Sequence, residues 1–236
     1  MFNLSPQLSL GLEVNEPLDW QDFYPGSNLE AVQMLKELVS QPQAGVIYLW
    51  GQQGVGKTSL LQVAYHEVLA KEYSAIYVSL ADVVRYNNAI LDNLEHFSLV
   101  CLDDFEAVSG HAEWEEKLFV LYNELQDNGG RLIVAANKPP KQLGLELKDL
   151  ESRLTWGLVL KLKALSEHDM VKALRLHANK VGLALSDEVG QYLIHRYQRD
   201  MPSLLKLLQQ LDVASLSAQR RLTVPFVRSV LAAETS

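Results

Sequence analysis

Thirteen consecutive residues constrain this chain more than any others: Val46-Ile47-Tyr48-Leu49-Trp50-Gly51-Gln52-Gln53-Gly54-Val55-Gly56-Lys57-Thr58. The first five are apolar and read as a buried strand. The remainder fits G-x-x-x-x-G-K-[ST], with Gln52, Gln53, Gly54 and Val55 between the two fixed glycines. Residues 59–73 then read as a helix, beginning at Ser59 and carrying Leu60, Leu61, Ala64, Val68 and Leu69 on one side. Strand, glycine-rich turn and helix in that order make a phosphate cradle. Glycines let consecutive N–H groups curl inward, and the helix start adds unpaired donors and a positive dipole end. In such a cradle Lys57 reaches the β- and γ-phosphates of a nucleotide, and the Thr58 hydroxyl sits on Mg²⁺.

A second acidic feature follows. Residues 97–104 form an apolar run ending in Asp103-Asp104. A strand that delivers a carboxylate to the sheet edge beside the cradle suits Asp103 for Mg²⁺ and Asp104 for orienting an attacking water as base. Asn137 closes a further apolar run, 131–137, and at a strand end it is expected to meet the γ-phosphate or that water. Residues 75–80 and 157–163 supply two more strands. These runs are apolar without alternation and are separated by helical patterns. The expected fold is therefore α/β: a five-stranded parallel sheet covered on both faces. The helical patterns run over residues 82–91, over 113–126 with Trp114, Leu118, Leu121, Tyr122 and Leu125 on one face, and after Asn28, the expected cap of a helix carrying Val32, Leu35, Leu38 and Val39.

After Ala164 the pattern becomes wholly helical. Ser166-x-x-Asp169 starts one helix in the manner of a capping box, Ser186 another and Pro202 a third, and Val224-Pro225 opens the last. The expected organisation is a tail over 1–17, an α/β domain over 18–163 and a helical domain over 164–236. In the tail, Gln7-Leu8-Ser9-Leu10-Gly11-Leu12 alternates as an extended segment does. Its leucines either pack on the protein's own body or dock into a partner's apolar pockets.

Composition narrows the class. With 48% apolar residues the chain can build a core, and a net charge of −8 argues against strong direct DNA binding. One cysteine, no run of about 18 apolar residues and no signal-peptide pattern together suggest a cytoplasmic location away from membranes. The six histidines show no metal-site spacing. Arg153, in Glu151-Ser152-Arg153-Leu154-Thr155-Trp156-Gly157, can offer its guanidinium to a neighbouring subunit's γ-phosphate, so a homo-oligomer is a further expectation. From the residues alone, an ordinary ion pair with Glu151 or Asp149 is the simpler reading.

These motifs together resemble the AAA+ family, in the branch of the bacterial replication initiator DnaA. Residues 51–58 are similar to its Walker A segment, 99–104 to Walker B, and Asn137 falls at sensor I. Residues 152–157 resemble its S-R-[FL]-x-W-G segment, in which the arginine acts in trans. The resemblance implies an adenine nucleotide, ADP or ATP, with Mg²⁺, and an adenine pocket lined by the aromatic stretch containing Phe23 and Tyr24. It also implies that Gln7, Leu8, Leu10 and Leu12 bind the DNA polymerase sliding clamp. The resemblance is not expected to extend to the initiator's helix-turn-helix DNA-binding domain, since the residues after 164 are accounted for by the helical domain. That layout resembles the branch's regulatory inactivators, which stimulate ATP hydrolysis by a DnaA-type initiator. Pro202 stands where the family's sensor II arginine is expected, which implies little hydrolysis by the chain itself. A stand-alone ATPase such as a helicase loader, or a DnaA-like initiation factor, is the alternative.

Overall fold

The computed structural model describes residues 19–41, 43–197 and 200–233. The leucine-bearing tail, with Gln7, Leu8, Leu10 and Leu12, lies outside the described residues. The chain runs α1 (Leu29–Ser40), β1 (Gly45–Trp50), α2 (Lys57–Ala70), β2 (Ala75–Ser79), α3 (Leu80–Val83), β3 (Leu99–Asp103), α4 (Ala112–Asp127), β4 (Arg131–Ala136), α5 (Lys148–Trp156), β5 (Leu158–Lys161), α6 (Glu167–Lys180), α7 (Asp187–Arg196), α8 (Met201–Ala218) and α9 (Val224–Ala233). The strands pair parallel in the order β2-β3-β4-β1-β5.

The apolar strands are explained by two-sided burial. Tyr48, Val100, Leu102, Leu132 and Val134 pack with Trp114, Leu118, Leu121, Leu150 and Leu154 of α4 and α5. Their neighbours Ile47, Leu49, Leu99, Cys101, Ile133 and Ala135 pack with Val32, Leu35, Leu60, Leu61 and Ala64 of α1 and α2. Alternate residues thus serve opposite layers, so both parities must be apolar. Two charged strand residues are buried as well: Asp103 at the end of β3, and Arg131, at the start of the central strand β4, at 5% exposure. The Arg131 guanidinium donates to the carbonyls of Val39 (3.0 Å) and Gln41 (3.2 Å), acceptors left over at the end of α1, and to that of Ser98 (2.9 Å), just before β3. A separate core, built from Leu174, Leu193, Leu204, Leu208, Leu211 and Val227 among others, holds α6 to α9 together.

Three local expectations need correction. The helix expected over 82–91 is cut short: α3 ends at Val83, and a single 3-10 turn covers Asn88–Leu91. Asn87 is the cause, because its side chain accepts the Ala89 N–H (2.8 Å) and competes with helical bonding. The helix α5 was not anticipated at all. Asn28 precedes α1 but does not cap it. Its side chain instead donates to the Lys163 carbonyl (2.9 Å) and accepts the Lys163 N–H (2.8 Å), tying the chain's entry to the end of β5. The Ser166 start of α6 is as expected: its hydroxyl accepts from the Asp169 N–H (3.1 Å) and donates to the Asp169 carboxylate (2.7 Å).

Candidate functional site

The cradle sits where β1 leaves the sheet. The Gly51 N–H donates to the Ala136 carbonyl at the end of β4 (3.2 Å), and a Cβ on Gly51 would lie 2.6 Å from the Leu162 carbonyl oxygen. Gly56 has φ +99°, and a Cβ there would stand 2.9 Å from the Phe23 ring. Both positions therefore exclude a side chain. The first bond into α2 runs from the Leu60 N–H to the Gly56 carbonyl (3.0 Å), so Lys57, Thr58 and Ser59 keep N–H groups with no intrahelical acceptor. Thr58 is exposed in this first turn, as are Gln52 and Gln53 in the loop. Lys57 is 9% exposed and lies across the loop, its Nζ donating to the carbonyls of Gly51 (2.8 Å) and Gln52 (3.0 Å). Burial lowers its pKa, and Glu106, Asp103 and Asp104 pull it back up. Three carboxylates thus face one ammonium.

The acids come from the end of β3. Asp103 is fully buried; it accepts the Tyr77 hydroxyl (2.8 Å) on one oxygen and the Asp104 N–H (2.9 Å) on the other. Asp104 is in the left-handed region (φ +53°), unusual for a residue with a side chain. Burial, then the charges of Asp103 and Glu106, push its carboxyl up to about 6, against a Ser79 hydroxyl at 3.4 Å and the Lys57 charge. Because β4 lies between β3 and β1, its successor Asn137 emerges between the acids and the cradle. The Asn137 N–H donates to Glu106 (3.0 Å), and its side chain is exposed. Tyr77, Ser79 and Glu106 were not singled out from the sequence. Glu106 was visible as a third acid beside Asp103-Asp104. Tyr77 and Ser79 enter only because β2 is in register with β3, Ser79 opposite Asp103.

The aromatic segment is clasped between the two cores. Phe23 packs on Gly56, while the Tyr24 hydroxyl donates to Asp169 of α6 (3.1 Å) and Asp22 pairs with Lys180 (2.8 Å). Asp200, which caps α8 through the Ser203 N–H (2.9 Å), lies beside Gly54, and Pro202 is exposed in the first turn of that helix.

Arg153 belongs to a different place. On α5 its guanidinium lies 4.9 Å from the Trp156 ring, and Trp156 itself is 73% exposed. Glu151 pairs instead with Lys148 (3.1 Å), and no ion pair of Arg153 occurs among the described residues, so the pairing with Glu151 or Asp149 is not formed. After α5, Gly157 comes against Val46 at the start of β1, whereas the cradle opens at Gly51 beyond its end. Five strand residues, about 16 Å, separate the two.

The residues present fit a nucleotide. The loop admits no Cβ at two positions, its helix-start donors are uncommitted within the helix, and a lysine spans its mouth. No group of three or more His, Cys, Asp or Glu able to hold a metal ion occurs among the described residues. No described helix is long and apolar enough to cross a membrane.

Comparison with known proteins agrees with this geometry. Residues 15–161 match the family model of the bacterial DnaA ATPase domain, more than half of the chain, and residues 167–231 match that of the Hda lid domain. Domain III of the Thermotoga maritima replication initiation protein DnaA is 21% identical with a TM-score of 0.77, over 91% of this chain and 95% of that one. AMPPCP-bound DnaA from Aquifex aeolicus is 24% identical with a TM-score of 0.68, over 80% of this chain and 63% of that one. The Thermotoga maritima RuvB Holliday junction branch migration motor is 17% identical with a TM-score of 0.65, over 90% of this chain and 72% of that one. At such identities these structures speak for the fold alone, but the match over residues 15–161 goes further: the chain belongs to the DnaA-related AAA+ proteins.

Proposed function

We propose that this chain is a negative regulator of replication initiation, which binds an adenine nucleotide and triggers ATP hydrolysis on a DnaA-type initiator. The observation that carries the proposal is Arg153: a guanidinium without a carboxylate partner among the described residues, resting on an exposed tryptophan, toward the far end of β1 from its own cradle. A group so placed is suited to a phosphate on another molecule rather than on its own. ADP or ATP would be held by the loop over Gly51–Thr58, with Ser59 and the Phe23 and Tyr24 segment beside it. Mg²⁺ would sit on Thr58. Asp103, with both oxygens already engaged, would act on the ion through water. Gln7, Leu8, Leu10 and Leu12 would tether the chain to the sliding clamp, bringing it to initiators near newly replicated DNA. The net charge of −8 speaks against a direct, non-specific grip on DNA.

A second reading has its own observation. Lys57, Asp103, Asp104 and Asn137 are together at one sheet edge, as a stand-alone ATPase needs. Pro202 weighs against it, since a proline brings no cation to a phosphate. One assay separates the readings: ATP turnover by purified DnaA, with and without this protein and clamp-loaded DNA. Turnover that rises with this protein supports the regulator. Turnover that belongs to this protein alone, with DnaA unaffected, overturns it.

A further inference from the structure

Glu115 is a charged residue where the packing asks for an apolar one. It projects from the first turns of α4, is 0% exposed, and has no cation paired with it among the described residues. Its two oxygens serve different segments. Oε1 accepts the N–H of Gly110 (2.8 Å), in the left-handed turn (φ +80°) that closes the loop begun at Asp104. Oε2 accepts the N–H of Leu147 (2.8 Å), the residue that opens α5 and offers no side-chain cap of its own.

A buried carboxylate is costly unless strong donors satisfy it, and a methionine or leucine in its place would pack without that penalty. Two backbone N–H groups justify the charge here. One lies at a helix start, where the positive dipole end favours an anion. What those two segments carry gives the contact its meaning. One leads back to Asp104 and Glu106 at the nucleotide side. The other leads, within two helical turns, to Arg153. Leu150 and Leu154 fix the rotation of α5 by their burial, but apolar contacts resist sliding along the helix axis only weakly. Gly157 on Val46 anchors the C-terminal end of α5, and the bond to Leu147 supplies the matching fixed point at its N-terminal end.

We infer that Glu115 is a positioning residue: a buried strut that fixes the height of α5, and so of Arg153, relative to the acid turn of the same chain. It touches neither nucleotide nor initiator. The inference rests on the reading of Arg153 as a finger acting on the initiator. A displacement of about 1 Å at a reacting group can cost on the order of a hundredfold in rate. Glu115→Gln turns an NH₂ group toward one of the two N–H donors, so one bond is lost. The saturated rate of initiator hydrolysis should then fall roughly ten- to a hundredfold. The concentration of this protein at half-maximal stimulation, and its affinity for ADP, should stay unchanged.

The test measures stimulated hydrolysis by purified DnaA on clamp-loaded DNA. It uses the wild-type chain, Glu115→Gln, Arg153→Ala and the double variant, with amide hydrogen exchange across residues 147–156. The expected result is a rate loss in Glu115→Gln with faster exchange in α5, and no further loss when Glu115→Gln is added to Arg153→Ala. Full stimulation by Arg153→Ala would remove the finger reading itself. Loss in Arg153→Ala with a full rate in Glu115→Gln would overturn the strut alone. So would a loss in the double variant that multiplies the two single losses, or a Glu115→Gln effect confined to half-saturation or to ADP affinity. Should Glu115→Gln fail to fold, Leu147→Pro carries the same test. Residue 147 has φ −80°, which proline accepts; the N–H that Glu115 holds is removed, and Leu147→Ala controls for the packing of that side chain on the core.

Discussion

The nucleotide side and the α5 face use charge in opposite ways. At the cradle Lys57 faces Asp103, Asp104 and Glu106, and the arrangement is half-desolvated and crowded with acceptors. On α5 a single cation lies over a ring that is mostly in solvent. The first arrangement has the acids and the lysine of a phosphate site but no arginine among the contacts described. The second has the arginine and no phosphate cradle beside it. On the function proposed above, the difference teaches that the two halves serve different molecules: the cradle would hold this chain's own nucleotide, and the arginine would complete a site held by something else. Breaking either half should leave the other intact.

The largest effect is expected at Arg153. Arg153→Ala should remove most stimulation of the initiator, about 10³-fold or more, because a finger of this kind is worth 10³–10⁵ in rate. The variant should bind ADP and the clamp as before. Arg153→Lys should rescue little, since a compact ammonium cannot span phosphate oxygens as a planar fork does. Full stimulation by either variant in the initiator hydrolysis assay would falsify the finger.

Lys57→Ala cuts the other half. It removes the loop's only lysine, whose charged hydrogen bonds to phosphate are worth about 1.5–3 kcal/mol, or roughly ten- to a hundredfold in affinity. Calorimetric titration with ADP checks this, and an unchanged affinity would mean the nucleotide sits elsewhere. The contrast sharpens if stimulation by Lys57→Ala recovers at saturating ADP, which would show the cradle acting by occupancy and Arg153 by chemistry.

Asp104→Asn should act through pH. The Asp104 carboxyl is pushed up to about 6, chiefly by burial. A raised carboxyl pKa means the folded state holds its proton more tightly than the unfolded one. Stability is therefore lost as pH rises from about 4 to about 6, and the loss persists above that. Asparagine escapes this penalty, so the variant should be more stable than wild type above pH 6, by on the order of 1–2 kcal/mol after allowance for solvent screening of a half-buried group. The gain should shrink toward zero below pH 4. Urea unfolding at pH 4 and pH 7.5 reads it, and a gain of equal size at both would exclude titration as its source.

The two halves also differ in how far they could be read in advance. Strands buried on both faces must be apolar at every position, and a loop without room for a Cβ must hold glycine, so β1, β3, β4 and residues 51–58 were legible one residue at a time. Other features depend on partners remote in sequence. The start of α5 is held by Glu115 from another helix, so no local capping signal marks Leu147. Asn28 looked like a cap because the residue type is right, but Lys163 takes its side chain. Tyr77 and Ser79 join the site only through the register of β2 on β3. The position of Arg153, clear of its own cradle, follows from sheet order and Gly157 packing on Val46, neither of which a motif encodes.

The smallest expected effect lies on the clasp that joins the cradle to the helical lid. Asp22, before α1, pairs with Lys180 at the end of α6 (2.8 Å), and the pair is only partly screened, with side-chain exposures of 15% and 33%. Burial works to raise the Asp22 carboxyl, yet the Lys180 bond, the Asp19 N–H and the charges of Lys180 and His177 together hold it below its ordinary value. A depressed carboxyl contributes stability above the unfolded pKa of about 3.9, and the contribution disappears as pH falls through the lower folded value. A double-mutant cycle with Asp22→Asn and Lys180→Met should give a coupling of about 0.5–1 kcal/mol at pH 7. The coupling should fade as pH falls below the unfolded value and vanish once Asp22 is protonated. ADP affinity should change little, because the Tyr24 hydroxyl on Asp169 and the Phe23 ring on Gly56 still hold the segment in place. A coupling that survives at low pH would show that the contact is packing rather than charge. A loss of ADP affinity comparable to that of Lys57→Ala would show that the lid clasp belongs to the cradle, and would erase the boundary between them.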